Sequence, residues 1–102
     1  MLLNSFHPGE FLKELMDEYR ISAYRLAKDT FISQSRIGEI LKGNRGITPD
    51  TALRLSRYFG TSPQYWLNLQ TSYDLGHCDV DHLDEINPIV FTNPTRSTTL
   101  TI

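Results

Sequence analysis

Only one cysteine, Cys78, stands among the 102 residues. No disulfide can form within the chain, and a reducing cytoplasm is the simplest expected home. No run approaches the roughly 18 consecutive apolar residues that a membrane-spanning helix needs. The first residues carry neither a basic region nor a long apolar block, so no signal peptide is expected. Nucleophile-elbow, phosphate-loop and paired-carboxylate motifs are also missing, which speaks against an enzyme. His77, Cys78, Asp79, Asp81 and His82 have the side-chain types of a metal site. Their spacing does not match zinc sites and no second cluster accompanies them, so neither metal nor cofactor is expected.

Nor is the chain basic overall: its formal net charge is −2. That total hides a segregation. From Arg20 to Arg57 eight basic residues (Arg20, Arg25, Lys28, Arg36, Lys42, Arg45, Arg54, Arg57) face three acids, Asp29, Glu39 and Asp50. From Asp74 onward five acids, Asp74, Asp79, Asp81, Asp84 and Glu85, face Arg96. The sign asymmetry describes a local binding face better than the sum does, although a solvated surface would also satisfy it.

The length suits one all-α domain with a single modest core. Apolar residues recur at helical spacing in five short segments. The first begins around Pro8, carries Phe11, Leu12, Leu15, Met16 and Tyr19, and ends near Arg20. Ser22 caps the second, with Leu26 and Ala27 facing inward, and Ser33 caps the third. Ile37, Ile40 and Leu41 share the buried face of that third helix, and Gly43 ends it. Thr48-Pro49 opens a fourth helix that buries Ala52, Leu55 and Phe59, and Gly60 stops it. Ser62-Pro63 opens a fifth, which carries Tyr65, Trp66, Leu67, Leu69 and Tyr73. Residues 1–75 form the expected domain and 76–102 an acidic, then Thr-rich tail. The tail's end favours extended structure: a short strand, a docking arm or no fixed form.

The second and third helices have the layout of a helix-turn-helix, in which the second member enters the DNA major groove with its N-terminal residues on base edges. Gln34, Ser35 and Arg36 then project toward bases: Gln pairs with adenine, Arg with guanine, and Ser donates or accepts. Ser33, Lys42, Asn44 and Arg45 lie where phosphates would pass. Gly38 costs about 1 kcal/mol relative to alanine inside a helix, and close approach to a base or a backbone would explain it. A helical hairpin of purely structural purpose fits the same pattern.

At these residues the sequence resembles a known family. Residues 33–38 and 43–45 resemble the recognition segment of phage-repressor-like helix-turn-helix domains, the XRE superfamily. "HPGEFLKELM" at residues 7–16 and "LKGNRGITPDTALRLSRYFGTSPQYWLNLQTSYDL" at residues 41–75 look like HigA-type antitoxins. The resemblance implies a dimeric five-helix repressor that binds operator DNA and neutralises a HigB-like, mRNA-cleaving toxin. It also implies that Gln34, Ser35, Arg36 and Glu39 occupy base-reading positions and that Asn44 and Arg45 face the DNA backbone. Three residues raise a question against it, the first being Glu39, which would repel phosphates unless it accepts from a donor such as cytosine N4. Ala23 stands where many members have glutamine, and Phe31 where the turn has glycine. An ordinary residue in the left-handed conformation costs roughly 1–2 kcal/mol, so the turn is expected to be strained or reshaped.

The fifth helix has more apolar surface than one stripe requires. Tyr65, Leu67 and Leu69 are candidates for a homodimer interface presenting two recognition helices to half-sites, or for a cap on the monomer's own core. The acidic stretch at residues 74–85 suits a basic, RNA-gripping partner as well as simple solubility. A stand-alone regulator, or a toxin inhibitor whose helix-turn-helix is only structural, remains a rival function.

Overall fold

The computed structural model describes residues 6–89. Five helices follow in order: α1 Pro8–Tyr19, α2 Ala23–Thr30, α3 Gln34–Leu41, α4 Pro49–Phe59 and α5 Pro63–Gly76. Each start has a local cause. Ser22 accepts from the Arg25 N–H, Ser33 from Arg36, Thr48 from Thr51 and Ser62 from Tyr65. Such caps contribute about 1 kcal/mol each. His7 caps α1 in the same way, its Nδ1 accepting from Gly9 N–H at 2.9 Å. The sequence points to Pro8 there but not to the histidine as cap.

The ends are equally local. Arg20 (φ 57°), Phe31 (φ 60°) and Gly60 (φ 76°) take the left-handed conformation after α1, α2 and α4. Gly43 (φ 82°) does so one residue past the Lys42 cap of α3.

The core consists of Leu12, Met16, Leu26, Ile32, Ile37, Ile40, Ile47, Ala52, Leu55 and Trp66. Ile47 lies between α3 and α4, where no helical period marks it. Its N–H donates to Gln70 Oε1 at 2.6 Å, tying that loop to α5. Trp66 is fully buried and its Nε1 donates to Thr61 Oγ1 at 2.8 Å, so the ring loses no hydrogen bond. Several side chains expected inside are less enclosed. Phe11, Leu15, Ala27, Leu41 and Phe59 are half-buried, and Tyr19 is exposed because it sits in the last turn of α1, where its ring tilts against Phe59.

The position of α3 depends on α1. A Cβ on Gly9 would run into the main-chain carbonyl oxygen of Ile40, so only glycine lets the first turn of α1 close onto α3. Beyond α5, residues 77–89 are exposed throughout and contain one 3₁₀ turn, Leu83–Glu85. No strand occurs among them, and the expected extended end, residues 97–102, lies outside the described residues.

Candidate nucleic-acid interface

The α2–turn–α3 unit is held from behind by Leu26, Ile32 and Ile37, all buried. The turn keeps the left-handed geometry that glycine usually supplies, although Phe31 stands there with its side chain 85% exposed. Its own packing therefore offsets none of the strain. Polar contacts do instead. Thr30 Oγ1 donates to Leu26 O at 2.6 Å. Arg54, from α4, donates through Nη1 to Thr30 O at 3.0 Å and to Phe31 O at 3.2 Å.

Gln34 and Ser35 stand exposed in the first turn of α3 and form no side-chain hydrogen bond among the described residues. Their donors and acceptors are open to solvent. Ser33 is exposed too, but its hydroxyl oxygen is occupied as the cap of α3. Arg36 differs from its neighbours. Its side chain is only 29% exposed, and Nη1 lies 3.6 Å from Asp50 Oδ2 in the first turn of α4. Its Nε is buried and has no partner among the described residues.

At the other end of α3 the charges are paired locally. The Glu39 carboxylate accepts from Asn44 Nδ2 at 3.3 Å and lies 4.0 Å from Lys42 Nζ. A carboxylate that would repel phosphates is thereby partly neutralised. Arg45 is exposed and has no ion pair among the described residues. Gly38 is not crowded among the described residues: a Cβ there would meet nothing within 4 Å beyond its own helix and chain neighbours. No contact among the described residues accounts for that glycine.

Two further residues matter, which in the sequence stand out only as charges. Asp50 and Arg54 are four apart on α4, and Arg54 Nε donates to both Asp50 oxygens at 3.1 Å. Their spacing was the available signal, since such pairs meet on one helix face. What they do across the fold was not visible in it. Behind the turn lies a groove of about 790 Å³ whose lining includes Phe31, Leu53, Arg57, Tyr58 and Pro63. At its edge Tyr58 donates to Asp29 at 2.6 Å, and Arg25 Nε reaches the same oxygen at 3.4 Å. The Tyr58 hydrogen bond, then Arg25, hold the Asp29 carboxyl below its ordinary range, and the same bond pushes the Tyr58 hydroxyl up.

On α5, Tyr65 is 41% exposed and packs edge-on to buried Trp66. Leu67 and Leu69 are half-buried, packed against the core with part of their surface outward. No group of three or more His, Cys, Asp or Glu side chains among the described residues is placed to hold a metal ion. His77 Nδ1 meets Tyr73 O at 2.9 Å, and His82 pairs with Glu85 at 3.0 Å.

Residues 12–66 match the helix-turn-helix family HTH_3, so the match takes in all of α2, α3 and α4. A solved antidote protein of the HigA family from Coxiella burnetii superposes with a TM-score of 0.72 at 42% identity, covering 89% of this chain and 100% of that one. The chain belongs to the HigA family of XRE-type helix-turn-helix proteins. Antitoxin HigA of Pseudomonas aeruginosa, solved with the higBA promoter, is similar over 85% of this chain and 100% of its own, with a TM-score of 0.76 and 37% identity. Virulence-associated protein I of Dichelobacter nodosus is 51% identical over 84% of this chain and 80% of its length. The Arg36–Asp50–Arg54 arrangement falls inside the region that matches HTH_3, and the tail of this HigA-family chain falls outside it.

Proposed function

We propose that this HigA-family protein is an antitoxin that represses its own operon as a dimer and neutralises a HigB-like, mRNA-cleaving toxin. The observation that carries the DNA half is the open pair Gln34–Ser35 at the start of α3, on a helix-turn-helix that matches its family, in a locally basic segment. Solved relatives bound to operator or promoter DNA support it. In this reading Gln34, Ser35, Arg36 and Glu39 face bases, while Ser33, Lys42, Asn44 and Arg45 face the backbone. Tyr65, Leu67 and Leu69 join two copies so that both recognition helices meet half-sites one DNA turn apart.

The toxin half rests on the family and on the tail. Residues 77–89 are exposed and carry Asp79, Asp81, Asp84 and Glu85 beside the outward apolar side chains Val80, Leu83 and Ile86. An acidic, partly apolar segment complements a basic RNA-binding surface. Co-purification of the full chain with the product of any small toxin-like reading frame found beside its gene tests this. A stable complex is expected, and a chain truncated after Leu75 should lose toxin affinity while keeping operator binding. Equal toxin affinity in the truncated chain removes the tail from the interface. Absence of any complex leaves a stand-alone regulator.

A further inference from the structure

The face of α3 that would meet DNA is tied to α4 by a single carboxylate. Asp50 lies between two guanidinium groups: Arg36 Nη1 at 3.6 Å and Arg54 Nε at 3.1 Å from each oxygen. Arg54 is itself fixed by the carbonyls of Thr30 and Phe31. A continuous chain of polar contacts therefore runs from the strained turn through Arg54 and Asp50 to Arg36. The Arg36 Nε is buried and has no partner among the described residues, so Asp50 is the carboxylate that the guanidinium meets.

We propose that Asp50 is a positioning residue that sets the sequence selectivity of α3 by restraining Arg36. This rests on the DNA-reading role of α3 proposed above. Guanidinium carries five donors in a planar fork, and Asp50 engages only one arm of it. Donors remain for a base edge presented in the right place. A non-cognate duplex presents a mismatched base edge there, and pairing with a phosphate instead requires Arg36 to leave Asp50. The carboxylate also repels every duplex alike. The repulsion lowers affinity for both; only the restraint on Arg36 penalises wrong DNA more than right DNA, and selectivity is such a difference. A purely structural role, in which Asp50 only favours the start of α4 and anchors Arg54, predicts no dependence on Arg36.

The test is a double-mutant cycle on the full chain. Affinities are measured at one salt concentration for the protein's own upstream duplex and for a scrambled duplex of equal length. Asp50→Asn should tighten binding to the scrambled duplex and reduce the upstream-to-scrambled ratio about tenfold, the worth of one well-made base contact. In an Arg36→Ala background the same substitution should leave the ratio unchanged. An unchanged ratio in the parent, or an equal fall in the Arg36→Ala background, overturns the proposal. If Asp50→Asn lowers the folded fraction, Asp50→Ser keeps a polar residue in the first turn of α4 and carries the same comparison. A parent protein with no preference for upstream DNA overturns the reading of α3 itself, a distinct result.

Discussion

Arg54 closes the turn that Phe31 strains: its Nη1 donates to the Phe31 carbonyl oxygen at 3.2 Å across an element boundary 23 residues away. A left-handed non-glycine residue is tolerated here because a neighbouring helix satisfies the carbonyls that the turn exposes. Phe31→Gly should therefore stabilise the fold by about 1 kcal/mol, the relief of strain less the entropy of a glycine in the unfolded chain. Arg54→Ala should destabilise it by about 1–3 kcal/mol, since one side chain serves two carbonyls. Urea unfolding of the two single variants and the double variant checks both signs.

Gly9 bears on the placement of α3 more than its position in α1 suggests. The Ile40 carbonyl stands where its Cβ would be, and both partners are main chain, which yields little. Gly9→Ala is expected to cost about 1–3 kcal/mol or more, despite alanine's better helix propensity. A variant as stable as the parent in thermal melts would show that α1 does not press on α3.

Gly38 gives the opposite case. Among the described residues, nothing beyond its own helix backbone and chain neighbours lies within 4 Å of its would-be Cβ, so Gly38→Ala should stabilise the free protein by about 1 kcal/mol. If DNA approaches that face, the same substitution should weaken upstream-DNA binding. Melting temperature and gel-shift affinity then move in opposite directions. A rise in both would leave the glycine without a DNA-related reason.

His7 links the fold to pH. Burial pushes it below its ordinary value of 6.5, while Asp74 and Glu10 pull it partly back. The neutral ring is needed, because Nδ1 accepts the Gly9 N–H. The unfolded chain takes up this proton at higher pH than the folded one does. Its contribution to stability is therefore complete above about pH 6.5 and diminishes as pH falls through that value toward the folded pKa. His7→Asn retains a capping oxygen without the titration, and should show a shallower loss of stability between pH 7 and 5.

Much of this fold was legible because helix starts and stops are local events. Ser22, Ser33, Thr48 and Ser62 each cap the helix that follows them, and the prolines mark two of the same starts. The exposed pair Gln34–Ser35 was legible for the same reason, being fixed by the cap at Ser33. Contacts between elements were not. Ile47 enters the core from a loop without any period, and His7 serves as a cap although its type is unusual there. Phe31 stood out as a problem of turn geometry, but its answer lies in Arg54, and helical spacing says nothing about which side chains reach across to α4. Arg36 lies in the first turn of α3 as expected, while its hold on Asp50 depends on the approach of α4 to α3.

The central claim is that α3 reads operator DNA, and a salt-titrated gel shift comparing the parent with Gln34→Ala on upstream and scrambled duplexes tests it most directly. Log affinity should fall steeply and linearly with log salt, by roughly 0.9 per phosphate neutralised. Gln34→Ala should weaken the upstream complex by about 1–3 kcal/mol and leave scrambled DNA and the salt slope unaffected. Equal affinity of the parent for both duplexes, or no effect of Gln34→Ala on the upstream complex, would contradict the account.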